Sequence, residues 1–90
     1  MAKNKKIFGV FFREKPAMML VTLLTATQEH YASSLAKVVD CTYSHIVKIL
    51  NEMQKADLVT FKKSGRLKVL SLTKKGEEVA SSIEKIRTIL

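Results

Sequence analysis

The sequence predicts a small, mainly α-helical domain with one β-hairpin, in the order helix, helix, tight turn, helix, hairpin, helix. Three observations predict it. Apolar residues cluster at helical spacing from Pro16 to Ala56, the period falls to two between Leu58 and Leu72, and helical spacing returns from Thr73 onward. The chain has 90 residues, 47% hydrophobic and 27% charged, ordinary globular proportions with room for one thin core. A single domain over 1–90 is therefore expected, with 1–15 as an N-terminal extension and 73–90 as a C-terminal helix. A core this thin also favours association with a second copy.

The elements follow in order. Pro16, the sole proline, suits the first turn of a helix, where its missing N–H is no loss. From there to about Thr27 nearly every residue is apolar, so this helix belongs in the middle of the domain, with Met18 and Met19 as core filler. "YASSLAKVV" then offers Ser33 or Ser34 as an N-cap and Leu35, Val38 and Val39 as a short apolar face, with Asp40-Cys41 ending the helix. Thr42 caps a third helix from about Tyr43 to Ala56, with Cys41 and Ile46 spaced as a hydrophobic staple. Turning about 100° per residue, Ile46, Ile49, Leu50 and Met53 share one stripe; Ser44, Lys48, Asn51 and Lys55 lie opposite, and His45 and Val47 flank them.

In the alternating stretch Val59 and Phe61 share one side and Thr60 and Lys62 the other. Ser64-Gly65 reads as the two-residue turn, and Arg66–Leu72 as the return strand. Thr73 caps the last helix, which runs through Ile89. Glu77 and Glu78 lie in its early turns, and Val79, Ile83, Ile86 and Ile89 or Leu90 lie along one face.

Charge separates the partner classes. The chain carries 16 Lys+Arg against 8 Asp+Glu, a net +8. Residues 1–15 hold five cations and one acid; residues 58–75 hold six cations and no acid; the remaining stretches are each slightly acidic. So concentrated an excess favours a polyanion, with nucleic acid ahead of an anionic membrane surface. The single Cys41 excludes an internal disulfide and any zinc site built on paired cysteines, and His30 and His45 have no ligands at metal spacing. No metal or cofactor is expected. Scattered acids, no Ser/His/Asp arrangement and no Gly-rich phosphate loop argue against catalysis, so no catalytic residue is assigned. Lys3, Lys5 and Lys6 precede an apolar stretch as in a leader, but Arg13, Glu14 and Lys15 interrupt it. Nor does any run approach the roughly eighteen apolar residues of a membrane span. A cytoplasmic protein with no membrane partner is expected.

A two-turn helix joined by Asp40-Cys41-Thr42 to a longer one has helix-turn-helix dimensions. In such a pair the second helix enters the major groove by its N-terminal residues, and a basic hairpin beside it is placed to hold phosphates or enter a minor groove. Double-stranded DNA is thus the expected partner. The candidate contacts are Ser33 and Ser34 on the first helix; Thr42, Tyr43, Ser44, His45, Lys48 and Asn51 on the second; and Lys62, Lys63, Arg66 and Lys68 on the hairpin. The same lysines also suit an edge strand guarded against aggregation.

"SSLAKVVDCTYSHIVKILNEMQKADLV", followed by a basic turn and "LSLTKKGEEVA", resembles the winged-helix (winged helix-turn-helix) domain of MarR-type transcriptional regulators. "FFREKPAMMLVTLL" resembles the start of short archaeal members. The matching anchors are Leu35-Ala36, Ser44 and Ile46, then Leu50, Met53 and Ala56 before Leu58-Val59, and finally Leu72-Thr73 with Gly76. The resemblance covers about residues 11–82 and implies transcriptional regulation. Asp57 stands where the family usually has Gly, so a slightly different helix-to-strand turn is expected. MarR-type proteins carry long flanking helices that build a dimer and an effector pocket. This chain stops at Leu90, so no small-molecule effector is expected.

Two functions stay open at this stage. One is a double-stranded DNA-binding transcriptional regulator; the other is a protein-interaction winged-helix subunit of a larger complex whose basic wing is incidental. A homodimer is expected for the first. Ile7, Phe8, Val10, Phe11 and Phe12, around Gly9, either pack on their own domain or pair with a second copy, together with the 73–90 helix.

Overall fold

Helix α1 spans Glu14–Thr25, α2 Ala32–Val38, α3 Tyr43–Lys55 and α4 Lys74–Ile89, with strands β1 (Val59–Ser64) and β2 (Leu67–Leu72) between α3 and α4. These elements come from a computed structural model that describes residues 13–90. The Ile7–Phe12 stretch lies outside the described residues. The element order is the expected one.

α1 begins two residues before Pro16, which occupies its third position. The first four N–H groups of a helix have no internal acceptor, so proline costs nothing there. The helix ends at Thr25 instead of Thr27. The Thr25 hydroxyl donates to the Val21 carbonyl (3.0 Å), and Ala26 turns to extended geometry at φ −64°, ψ 135°. That extension lets His30 run beside the hairpin as an antiparallel bridge to Leu70. The Leu70 N–H donates to the His30 carbonyl at 2.8 Å, so β2 is paired on both sides.

α2 is capped by Tyr31, ahead of both serines proposed from the sequence. Ser34 acts instead from inside the first turn: its hydroxyl accepts from the Tyr31 N–H (2.8 Å), donates to the Tyr31 carbonyl (3.1 Å) and lies 3.0 Å from His30 Nδ1. Val38 also departs from the expected apolar face and is 57% exposed, while Leu35, Ala36 and Val39 are buried. Around a 3.6-residue turn the buried arc runs from Leu35 through Val39 to Ala36, and Val38 falls about 60° outside it.

The two helices of the pair stop in the same way. After α2, Asp40 takes a left-handed φ of 54°, and after α3, Asp57 takes φ 62°. The N–H groups that follow fold back onto the helix: Cys41 donates to Ala36 and Asp40 to Lys37, and Leu58 donates to Met53 and Asp57 to Gln54. This is the Schellman arrangement, usually completed by glycine. Asp57 therefore keeps the turn that glycine would make and carries the left-handed strain itself. Thr42 caps α3, its hydroxyl accepting from the His45 N–H (3.3 Å).

The strands pair from Val59↔Leu72 to Ser64↔Leu67, which leaves Gly65-Arg66 as the two-residue loop and Ser64 inside β1. The turn thus lies one residue later than the Ser64-Gly65 turn expected from the sequence. Gly65 has φ 64°, and Arg66 is not in the left-handed region, so the loop has the primed form with glycine first, which matches strand twist.

The core gathers Met19 and Leu20 of α1, Leu35, Ala36 and Val39 from α2 and its cap, and Ile46, Ile49, Leu50 and Met53 of α3. Leu58, Val59 and Leu70 of the hairpin region and Ala80 of α4 complete it. The inner stripe of α3 is as expected. Along α4, Val79 and Ile83 pack against this core, whereas Ile86, Ile89 and Leu90 are 55%, 76% and 98% exposed. Length explains the difference. α1 and α4 pack together, and Leu23, Leu24 and Glu77 line one shallow cleft, so the start of α4 lies beside the end of α1. Sixteen residues rise further than twelve, by about 6 Å at 1.5 Å per residue, and the last turn of α4 has nothing of α1 to meet.

α4 starts at a tight junction. The Thr73 hydroxyl accepts from the Gly76 N–H (2.9 Å) and donates to the Asp57 carbonyl (2.6 Å), and the Thr73 N–H donates to the Leu58 carbonyl (2.9 Å). Gly76 lies so close to Leu58 that a Cβ would overlap the Leu58 carbonyl oxygen. Gly76→Ala should therefore cost about 3 kcal/mol of unfolding free energy in urea titration. Gly65→Ala, with no atom within 4 Å of an added Cβ but φ 64°, should cost only about 1 kcal/mol.

Candidate nucleic-acid interface

Burying the apolar stripe of α3 leaves its opposite face in solvent. Ser44, His45, Lys48, Asn51, Gln54 and Lys55 are all exposed. The hairpin stands beside this helix, and between them lies an open cleft of about 530 Å³. It is lined by apolar Val47, Leu50, Phe61 and Leu67 and by polar Tyr31, Ser33, Tyr43, Asn51, Gln54, Arg66 and Lys68. No group of three or more His, Cys, Asp or Glu side chains placed to hold a metal occurs among the described residues.

The register sorts the cations of the hairpin. Lys63 and Lys68 are direct cross-strand partners on the face of Phe61 and Leu70, whereas Lys62 belongs to the other face with Thr60 and Ser64. Like charges directly opposite one another destabilise a strand pair. Lys68 meets part of that cost by leaning over the Phe61 ring, 5.9 Å from its centroid, a cation–π contact of modest strength at an exposed site. Arg66 sits in the loop and lines the cleft.

The twelve candidate residues thus divide into groups. Ser33, Tyr43, Asn51, Arg66 and Lys68 line the cleft. Ser44, His45 and Lys48 are exposed elsewhere on α3, and Lys62 and Lys63 on the hairpin. Thr42 is exposed but its hydroxyl caps α3. Ser34 stands apart: it is half-buried, with its hydroxyl shared among Tyr31 and His30. Sequence reasoning missed Gln54, Tyr31 and Phe61 as cleft residues. Gln54 was within reach, since it continues the Val47–Asn51 line at helical spacing. Tyr31 precedes its helix, and alternation places Phe61 only on the side of Val59; the packing of the hairpin beside α3 brings both to the cleft.

Residues 17–76 match the winged helix DNA-binding domain family, and these are two thirds of the chain. The chain belongs to the winged helix DNA-binding domain family. Membership in a DNA-binding domain family makes DNA the partner. An uncharacterised protein of Archaeoglobus fulgidus is 27% identical over 84 residues, 90% of this chain and 88% of that protein. A crystal structure from Archaeoglobus fulgidus superposes with a TM-score of 0.80 at 27% identity, covering 92% of this chain and 94% of the other. MepR, a transcription regulator of the Staphylococcus aureus multidrug efflux pump MepA, gives a TM-score of 0.79 at 16% identity, covering 92% of this chain and 63% of MepR. A MarR family transcriptional regulator from Silicibacter pomeroyi gives 0.78 at 22% identity, covering 98% and 63%. The fold is therefore that of the MarR-type regulators, and the chain spans less than two thirds of these two. No described helix is long and apolar enough to cross a membrane.

Within this winged helix, Ser33 and Ser34 are adjacent in sequence but differ in what they hold. Ser34→Ala removes the partner of the Tyr31 N–H and should lower stability by about 1 kcal/mol, read by urea titration. Duplex affinity at a fixed salt concentration should stay within about twofold. Ser33→Ala should leave stability unchanged and weaken duplex binding.

Proposed function

We propose that the chain is a homodimeric transcriptional regulator that binds double-stranded DNA, with the exposed face of α3 in the major groove and the wing on the adjacent backbone or minor groove. One observation carries this reading. Lys63 and Lys68 are held directly opposite each other in a hairpin without an acid, beside the acid-free line Ser44, Lys48, Asn51 and Lys55 of α3. Left alone, such a pairing works against the hairpin. A phosphate laid against it turns the repulsion into attraction and releases counterions, the dominant source of affinity for a polyanion.

The roles divide by chemistry. The hydroxyl of Ser44 and the ammonium of Lys48, in the first two turns of α3, are within reach of base edges or flanking phosphates. The carboxamides of Asn51 and Gln54 suit adenine edges, and Lys62, Lys63, Arg66 and Lys68 suit phosphates. The neighbouring MarR-type folds belong to transcription regulators, which supports the same role here.

Dimerisation is supported by the exposed end of α4. Ile86, Ile89 and Leu90 form an apolar surface with no described partner, and a two-fold reader of DNA needs such a surface.

The DNA reading is tested by replacing Lys62, Lys63 and Lys68 with alanine and measuring duplex affinity against salt. Three lost phosphate contacts should flatten the log–log slope by roughly 2–3 per subunit. An unchanged slope and affinity would mean that the wing faces away from DNA. The dimer is tested by sedimentation of the full chain beside an Ile86→Ser, Ile89→Ser variant. The unmodified chain should sediment as a dimer at micromolar concentration and the variant as a folded monomer; a monomer in both cases refutes the assignment.

A further inference from the structure

Lysine is disfavoured in the first turn of a helix, because the partial charge there is positive. Yet Lys15 is the second residue of α1 and Lys75 the second residue of α4. Both are engaged in the same unusual way. Lys15 Nζ donates to the Val39 carbonyl at 2.7 Å, and Lys75 Nζ donates to the Ala56 carbonyl at 3.1 Å. Val39 is the C-cap of α2 and Ala56 the C-cap of α3. Each carbonyl is followed at once by the left-handed aspartate that turns the chain, Asp40 and Asp57. Each ammonium thus joins the positive end of one helix to the negative end of another, where a cation is favoured.

The two contacts bracket the recognition helix. Val39 stands three residues before its N-cap, Thr42, and Ala56 is its own C-cap. The contacts reach across 24 and 19 positions of sequence and come from outside the helix pair, one from α1 and the other from α4. The internal hydrogen bonds of the two turns fix their local shape. They do not fix the direction of α3 relative to α1 and α4; these two lysines bear on it. Lys75 belongs to the acid-free basic run of residues 58–75, but its ammonium is directed to a helix end.

We propose that Lys15 and Lys75 are positioning residues that clamp the two ends of α3 between α1 and α4 and thereby set the angle at which it reads bases. The inference rests on the reading that α3 discriminates sequence. It places the lysines outside the DNA contacts. A tilt of α3 misplaces every base contact at once while leaving the wing to hold phosphates.

The test uses the full chain and two duplexes of about 30 base pairs, room for two half-sites. One is selected from a random-sequence library by the unmodified chain, and the other is an unselected random sequence. Lys15→Met and Lys75→Met keep the aliphatic stem and remove the donor; Lys15→Arg and Lys75→Arg keep a cationic donor. Each methionine variant should lose about tenfold or more of the discrimination between the two duplexes, the scale of one good base contact. Affinity for the random duplex should stay within about threefold and the salt slope unchanged. The arginine variants should recover most of the discrimination. Equal loss on both duplexes with a flatter salt slope would overturn the inference, since the lysines would then hold phosphate. A lowered melting temperature with full discrimination would overturn it too, leaving them purely structural. An unmodified chain that selects no sequence refutes base reading itself, and that result is seen before any variant is made.

Discussion

Burial of a single stripe of α3 is the constraint on which the rest of the molecule depends. Ile46, Ile49, Leu50 and Met53 meet Met19 and Leu20 of α1, Leu35 and Ala36 of α2, and the base of the hairpin. Because that stripe is apolar along the whole helix, rotating α3 by even a third of a turn would expose leucine and isoleucine and bury Lys48 or Asn51, at a cost of several kcal/mol. The outward direction of the polar face is therefore a consequence of the core. The proposed DNA contact uses the side that folding leaves over. α1, apolar on much of its surface, packs against α4 and the hairpin and shares this core through Met19 and Leu20.

The positive charge is less uniform than its total suggests. A net +8 over 90 residues looks like one broad basic surface. Among the described residues, some cations face outward from the wing and others serve helix ends. Lys63 and Lys68 are paired directly across the strands, where like charges repel. Lys15 and Lys75 are turned to the carbonyl ends of neighbouring helices. Counting cations along the chain gives the sign of the partner but not the number of contacts.

The junction of α3, β1 and α4 shows how backbone geometry holds the wing to the helix. Asp57 adopts the left-handed turn, Leu58 folds back onto Met53, and Thr73 and Gly76 close on the carbonyls of Asp57 and Leu58. Side chains of α4 beyond Ile83 take no part in this core, so the two ends of α4 have separate tasks. Its start fastens the hairpin to α3, and its far end exposes Ile86, Ile89 and Leu90.

What the sequence determined by itself was periodic or chemical. The stripe of α3, its polar back, the Thr42 and Thr73 caps, the alternating hairpin and the acid-free run of residues 58–75 depend only on spacing and residue type, and all appear in the structure. Sequence also supplied Tyr43 and Asn51 of the residues that line the cleft from α3. Tertiary structure alone decided where elements end and what lies across from what. Ser33 and Ser34 are equal as caps by residue type; in the structure α2 starts after Tyr31, next to the His30–Leu70 bridge, and Ser34 accepts from the Tyr31 N–H. The turn at Gly65-Arg66 was set by cross-strand register, which no local pattern specifies once both neighbours are polar. Tyr31 and Phe61 reach the cleft, and Lys15 reaches Val39, through contacts far apart along the chain. Such contacts leave no periodic trace, because the helix repeat encodes which face is buried but not the partner that buries it.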